Sequence, residues 1–198
     1  FKTEYINAKY NFDIKTDNTV DINSHSAVVL RTSTGGNLYG GIQKGSTSGN
    51  CFGIGFHFCN GEQPGKVTIT VADADKESMT SVPRFNIDYP EGIDFKEKTN
   101  MTVYDMDNKI LFYIEDEPFA AIILENYKNN YYNEGTIYDA QGNIIGRFEK
   151  KVPQRTNFTV LTRLRKVYFD NFSVSRLAPN TTIYDIDDSD FEEIFADD

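Results

Sequence analysis

A single all-β domain, folded as a two-sheet antiparallel β-sandwich, is the fold class that the sequence predicts, and three observations predict it. Aromatic residues are 14% of the 198, supplied by Phe and Tyr with no Trp; beside many Thr, Val and Ile, this composition favours strands over helices. Short runs that alternate bulky and polar residues recur as far as Leu177, with the two-residue period of half-buried strands. Clusters of turn-forming residues divide these runs. A 3.6-residue apolar stripe is nearly absent, and the short stretch at residues 191–195 comes nearest to one.

The elements follow in chain order. Residues 4–14, 27–33 and 38–44 read as strands, the last two divided by Thr34-Gly35-Gly36-Asn37. Residues 51–59 (CFGIGFHFC) alternate apolar with small side chains, and Asn60-Gly61 turns the chain towards a strand at 66–71. A strand at 84–89 precedes a meander over 101–123, whose strands at 100–105, 110–115 and 119–125 turn at Asp107-Asn108 and at Asp116-Glu117-Pro118. Val103, Ile110, Phe112, Ile114 and residues 119–123 supply its apolar face. Residues 134–138 and 144–149 form a hairpin about Gln141-Gly142-Asn143, and a strand at 158–164 leads to the last one, 166–177. That last run carries bulky residues on both alternations, which predicts a strand covered on both faces in the middle of its sheet.

The expected organisation is one domain over residues 1–177, followed by an acidic tail or linker over 178–198. The stretch DIDDSDFEEIFADD at 185–198 contains no Lys or Arg, as a solvated segment does. Phe, not Met, stands first, with no basic and apolar leader behind it, which suggests a mature chain or an excised domain. The net charge is −10 and the pI about 4.7. A surface this acidic repels phosphate backbones and anionic lipid, so nucleic acid is not an expected partner. No apolar run approaches the roughly 18 residues that span a bilayer, so membrane insertion is not expected either. Cys51 and Cys59 are eight residues apart in one extended run, roughly 26 Å, far beyond the reach of a disulfide.

Two stretches resemble a known family. The hairpin Asp107-Asn108-Lys109-Ile110 to Glu115-Asp116-Glu117-Pro118-Phe119-Ala120 is similar to one found in concanavalin A-like (laminin-G-like) jelly-roll domains. Their terminal strand resembles Val167-Tyr168-Phe169-Asp170-Asn171-Phe172-Ser173-Val174. The Trp that usually opens the hairpin strand is missing here. The resemblance implies a jelly roll in a secreted, periplasmic or cell-surface protein. It marks a fold and not a chemistry, because lectins, glycosidases, lyases and adhesion modules all use it.

Candidate chemistry was weighed residue by residue. Glu115 and Glu117 have the i, i+2 spacing of a glycosidase carboxylate pair, yet they sit at a turn without a third acid in register and read as solvated turn acids. Asp73 with Asp75, and Asp105 with Asp107, offer hard oxygen ligands suited to Ca²⁺, although neither pair completes a known loop. No G-x-S-x-G elbow or phosphate loop occurs. Carbohydrate recognition is the positive signal, since sugars need an aromatic platform beside planar polar groups. Residues 125–134 (ENYKNNYYNE) read as an exposed Tyr-rich loop that offers Tyr127, Tyr131 and Tyr132 beside Asn129 and its neighbouring asparagines. A second candidate surface groups Arg31, Tyr39, Gln43, His57 and Arg84 on strands that share a face. Asn100, Asn157, Asn171 and Asn180 head glycosylation-type triplets. The expected function is a carbohydrate-binding, lectin-like module whose partner is a glycan or oligosaccharide, possibly joined to other domains of a larger protein. The alternatives are a glycoside hydrolase of the 3-keto-disaccharide type, which the resemblance implies, and a protein-binding adhesion module.

Overall fold

The computed structural model describes residues 7–17, 21, 24–31, 51–77, 82–154 and 158–178. Every regular element among them is a strand. The strands are β1 (Asn7–Thr16), β2 (His25–Leu30), β3 (Cys51–Asn60), β4 (Lys66–Glu77), β5 (Arg84–Asp88) and β6 (Thr99–Met106), followed by β7 (Lys109–Ile114), β8 (Glu117–Lys128), β9 (Tyr131–Asp139), β10 (Ile144–Pro153), β11 (Thr159–Arg163) and β12 (Val167–Arg176). Two antiparallel sheets result, one of seven strands in the order β10-β9-β8-β7-β6-β1-β12 and one of five in the order β11-β2-β3-β4-β5. This β-sandwich is consistent with a concanavalin A-like fold. The expected strand at 38–44 and the expected tail at 179–198 lie outside the described residues.

Alternation along each strand builds the core. Ala8, Tyr10, Phe12 and Ile14 of β1, Met101 and Val103 of β6, and Ile110, Phe112 and Ile114 of β7 face inward from the larger sheet. Val28 and Leu30, Ile54, Phe56 and Phe58, and Val67, Ile69 and Val71 answer from the smaller one. The Phe56 ring stacks on Phe112 across the gap. The residues carrying this packing are at or near zero exposure, and each fully buried side chain of this kind contributes about 1.5–3 kcal/mol.

The last strand departs from expectation. β12 lies at the edge of the seven-stranded sheet, paired to β1 alone among the described strands. A bulge explains the misleading pattern. Asn11 pairs with Ser173 and Asp13 with Asp170, so β12 has one residue more than β1 across that interval. Asn171, with φ at 50°, absorbs the extra residue. The phase therefore resets mid-strand: Val167, Phe169 and Phe172 all pack on the core, with Phe169 and Phe172 both against Phe12. Apolar residues on both alternations of the sequence become one apolar face in space.

Candidate functional site

The Tyr-rich segment is a hairpin and not a long loop. β8 and β9 run on until Lys128 pairs with Tyr131, so only Asn129 and Asn130 form the turn, with φ at 55° and 67°. Two consecutive left-handed residues define the type I′ turn, for which Asn is well suited. Neighbouring asparagines close the same hairpin: Asn133 Nδ2 donates to the Asn126 carbonyl at 2.7 Å, and Asn126 Nδ2 to Glu134 Oε1 at 2.8 Å. Of the tyrosines, Tyr127 is 48% exposed and Tyr132 only 5%. Their rings meet at 5.0 Å, and Tyr131 is half-buried.

Beneath this hairpin the structure joins residues that the sequence had assigned to three different roles. Arg31 has φ at 56°, and its side chain crosses the sandwich to β6. There its Nε and Nη2 donate to Asp105 Oδ1 at 3.0 and 2.7 Å. The same guanidinium donates to the carbonyls of Pro153 at 3.2 Å and Asp107 at 2.5 Å, and lies 5.8 Å from the centre of the Tyr132 ring. Asp107 Oδ1 accepts from Tyr132 Oη at 2.6 Å and from Gln154 Nε2 at 2.7 Å. Gln154 Oε1 in turn accepts from Tyr127 Oη at 2.9 Å. Burial, and the proton shared with Asp107, push the Tyr132 phenol well above its ordinary range.

These contacts correct two expectations. Arg31 is fully buried and ties the two sheets together, with no face left for a surface ligand. The cation held by Asp105 and Asp107 is its guanidinium, in place of the expected metal. Asp73, on β4, accepts from the Lys151 amide at 3.2 Å; the side chain of Asp75 lies outside the described ones. Among the described residues no three His, Cys, Asp or Glu side chains cluster as metal ligands. His57 and Arg84 do face the same way from the five-stranded sheet, through the pairs His57–Thr68 and Thr70–Arg84. His57 is nevertheless buried, with Nε2 3.1 Å from Thr70 Oγ1, whereas exposed Arg84 pairs with Glu62 at 3.0 Å. Tyr39 and Gln43 lie outside the described residues. Cys59 is a buried free thiol. Glu115 and Asp116, with φ at 53° and 63°, are exposed turn residues.

The outer face of the seven-stranded sheet holds a site that sequence reasoning missed. Pairing aligns Lys9, Tyr104, Leu111, Ala121 and Tyr138 in one row across β1, β6, β7, β8 and β9. Tyr113 stands beside that row, its ring edge-on to Tyr104 at 5.5 Å, and Lys9 Nζ lies 5.0 Å from the Tyr104 ring centre. Tyr104 and Tyr138 are half-buried and pack over the buried Leu111, Tyr113 and Ala121. Next to them a polar ladder crosses β6, β1 and β12. Asn11 Nδ2 donates to Thr102 Oγ1 at 2.7 Å and to Asn100 Oδ1 at 3.0 Å. Asp13 accepts from Asn100 Nδ2 at 2.8 Å and Asn171 Nδ2 at 2.6 Å, and meets Lys98 Nζ at 2.7 Å. Lys98 and the two amides hold the Asp13 carboxyl down at about 2 against the opposing pull of burial. The amides of Asn100 and Asn171, the two glycosylation-type positions described here, are thus engaged with Asp13. One signal was present in the sequence: Asn100, Thr102 and Tyr104 alternate with Met101, Val103 and Asp105, so β6 carries a recognition-type face behind the apolar one.

No protein-family model matches the chain, and no curated protein matches it. Solved structures of similar shape include the carbohydrate-binding module CBM66 from Bacillus subtilis, at 10% identity and TM-score 0.46, covering 87% of this chain and 77% of that one. Another is the laminarinase catalytic domain from Thermotoga maritima MSB8, at 16% identity and TM-score 0.39, covering 61% of this chain and 44% of that one. A third is an alginate lyase of polysaccharide lyase family 7, at 9% identity and TM-score 0.41, covering 88% and 62%. The chain therefore spans less than two thirds of the laminarinase domain and of the lyase.

Proposed function

We propose that this chain is a carbohydrate-binding module that lays a glycan across the outer face of its seven-stranded sheet, in a secreted, periplasmic or cell-surface protein. One observation carries the reading: a row of tyrosines and a ladder of amide, hydroxyl and carboxylate groups stand side by side on one outward face. The half-buried rings of Tyr104 and Tyr138 offer apolar surface to the C–H face of a sugar. Asn11, Thr102 and Asn100 are planar or compact hydrogen-bonding groups at the height of its hydroxyls. Asp13 stays ionised throughout the physiological range and acts as a fixed acceptor. The Tyr127 hairpin is the second place where a ring is open to a sugar, although its amides already serve the turn.

A glycan array, with and without Ca²⁺, identifies the ligand, and titration calorimetry of the best hit tests the site. Tyr138→Ala and Asn11→Ala are each expected to weaken binding tenfold or more, about 1.4 kcal/mol. Tyr127→Ala with Tyr131→Ala is expected to change it less than threefold. The opposite pattern moves the site to the hairpin. An array without hits, or turnover of a glycoside by the wild-type chain, overturns the binding-module reading.

A further inference from the structure

At the rim of the sandwich, away from the tyrosine row, a pocket of about 390 Å³ opens between the end of β5, the β7–β8 turn and the β9–β10 turn. Its size lies within the range of small-molecule sites. Ile87, Phe119 and Ile145 form an apolar floor, and Pro90 and Pro118 are rigid walls. The Tyr89 ring is fixed beside them, because its hydroxyl donates to the Phe58 carbonyl at 2.5 Å. Asp139 shapes the far side: its Oδ1 accepts from the amides of Gln141 and Asn143, both at 2.9 Å, and locks the hairpin tip.

The polar rim is incompletely used by the protein. Asn86 Oδ1 accepts from Thr68 Oγ1 at 2.8 Å, which leaves its Nδ2 to donate elsewhere. Gln141 is exposed, and its side-chain amide has no partner among the described residues. Asp88 is bound on one side by Lys66 at 2.7 Å and is 80% exposed. No Lys or Arg lines the pocket, whereas two carboxylates do. An anionic ligand would meet negative charge with no compensating cation, and a purely apolar one would leave the amides unpaired.

We propose that this pocket receives one uncharged pyranose residue at the end of a glycan, its C–H face on the Phe119 floor and its hydroxyls on Asn86, Gln141 and Asp88. The assignment rests on the carbohydrate reading above and adds to it a second locus and a charge preference. A blind pocket selects chain ends, while the open sheet face accepts internal stretches.

Amide shifts of ¹⁵N-labelled protein, titrated with the methyl pyranosides of glucose, galactose and mannose and with sodium glucuronate, provide the test. At least one neutral pyranoside should move the amides of Ile87, Phe119 and Ala140, with half-saturation in the millimolar range, and glucuronate should bind at least tenfold more weakly. Ala140→Trp, which fills the mouth, should abolish those shifts while array binding through Tyr104 and Tyr138 persists. Asn86→Ala with Gln141→Ala should weaken them tenfold should the tryptophan variant fail to fold. Shifts confined to the sheet face, or equal binding of glucuronate, overturn the pocket assignment and leave the module reading standing. No shift with any pyranoside, together with an empty array, overturns both.

Discussion

Moving a guanidinium out of water costs several kcal/mol unless a carboxylate meets it, and the side chains of Arg31 and Asp105 are both at 0% exposure. Asp105 Oδ1 takes both contacts, while its buried Oδ2 has no partner among the described residues. Breaking the pair from either side should therefore destabilise strongly: Arg31→Met or Asp105→Asn should lower stability by about 3–5 kcal/mol in urea denaturation. The double variant Arg31→Met with Asp105→Leu should recover much of that loss, and simple additivity would show the pair to be uncoupled. Asp13 gives a prediction in pH. Its folded pKa, about 2, lies below the ordinary carboxylate value near 4, so the unfolded chain takes up the proton first as acid is added. The stabilisation is complete above about pH 4 and is lost as the pH falls towards 2. Asp13→Asn should flatten that acid limb of a melting-temperature series, by an amount on the order of 1 kcal/mol once solvent screening is allowed for. An unchanged limb would mean that Lys98 and the amides do not hold the charge.

The hairpin turns set the register of the larger sheet. Glu115-Asp116 and Asn129-Asn130 each place two residues in the left-handed region, where a side chain is strained and glycine is not. Asp116→Gly and Asn130→Gly should each raise stability by about 0.5–1 kcal/mol, whereas Asn129→Val should lower it by at least as much, all read by thermal melts. A fall in the glycine variants would contradict the turn assignment. At this scale most of the fold was legible, because strand period and turn chemistry are local. The meander over β6, β7 and β8 and the β9–β10 hairpin stand where the alternation put them. Residues 125–134 were harder. Their polarity suggested a loop, but polar residues are what an exposed hairpin end carries when it leaves the core. β12 misled for another reason: a single left-handed residue resets the phase, and periodicity counts every residue alike.

Across the molecule, the seven- and five-stranded sheets meet most closely at one side. β10 packs on β4 and β5, and the half-buried Phe85 ring occupies the space where a Cβ on Gly146 would lie. Gly146→Ala should push that ring aside and cost about 1–3 kcal/mol in denaturation experiments. Phe85→Ala in the same chain should cancel most of the added penalty of the methyl group, and independence of the two changes would refute the contact. The candidate site was less legible than the fold. A row such as Lys9, Tyr104, Leu111, Ala121 and Tyr138 joins positions far apart in sequence and exists only once register is known. Arg31 was placed on a surface because its sequence neighbours are strand-like, whereas its left-handed backbone turns it inward. The opposite flank ends in β12, whose outward residues include Tyr168 at 59% exposure and Asp170. A straight border of free amides would be a template for fibre growth. The kink at Asn171 interrupts that template, so the residue that rephases the strand also guards the protein's solubility. Deleting Asn171 should straighten the border, turn Phe172 towards water, and produce self-association visible by light scattering at concentrations where the parent chain stays dispersed.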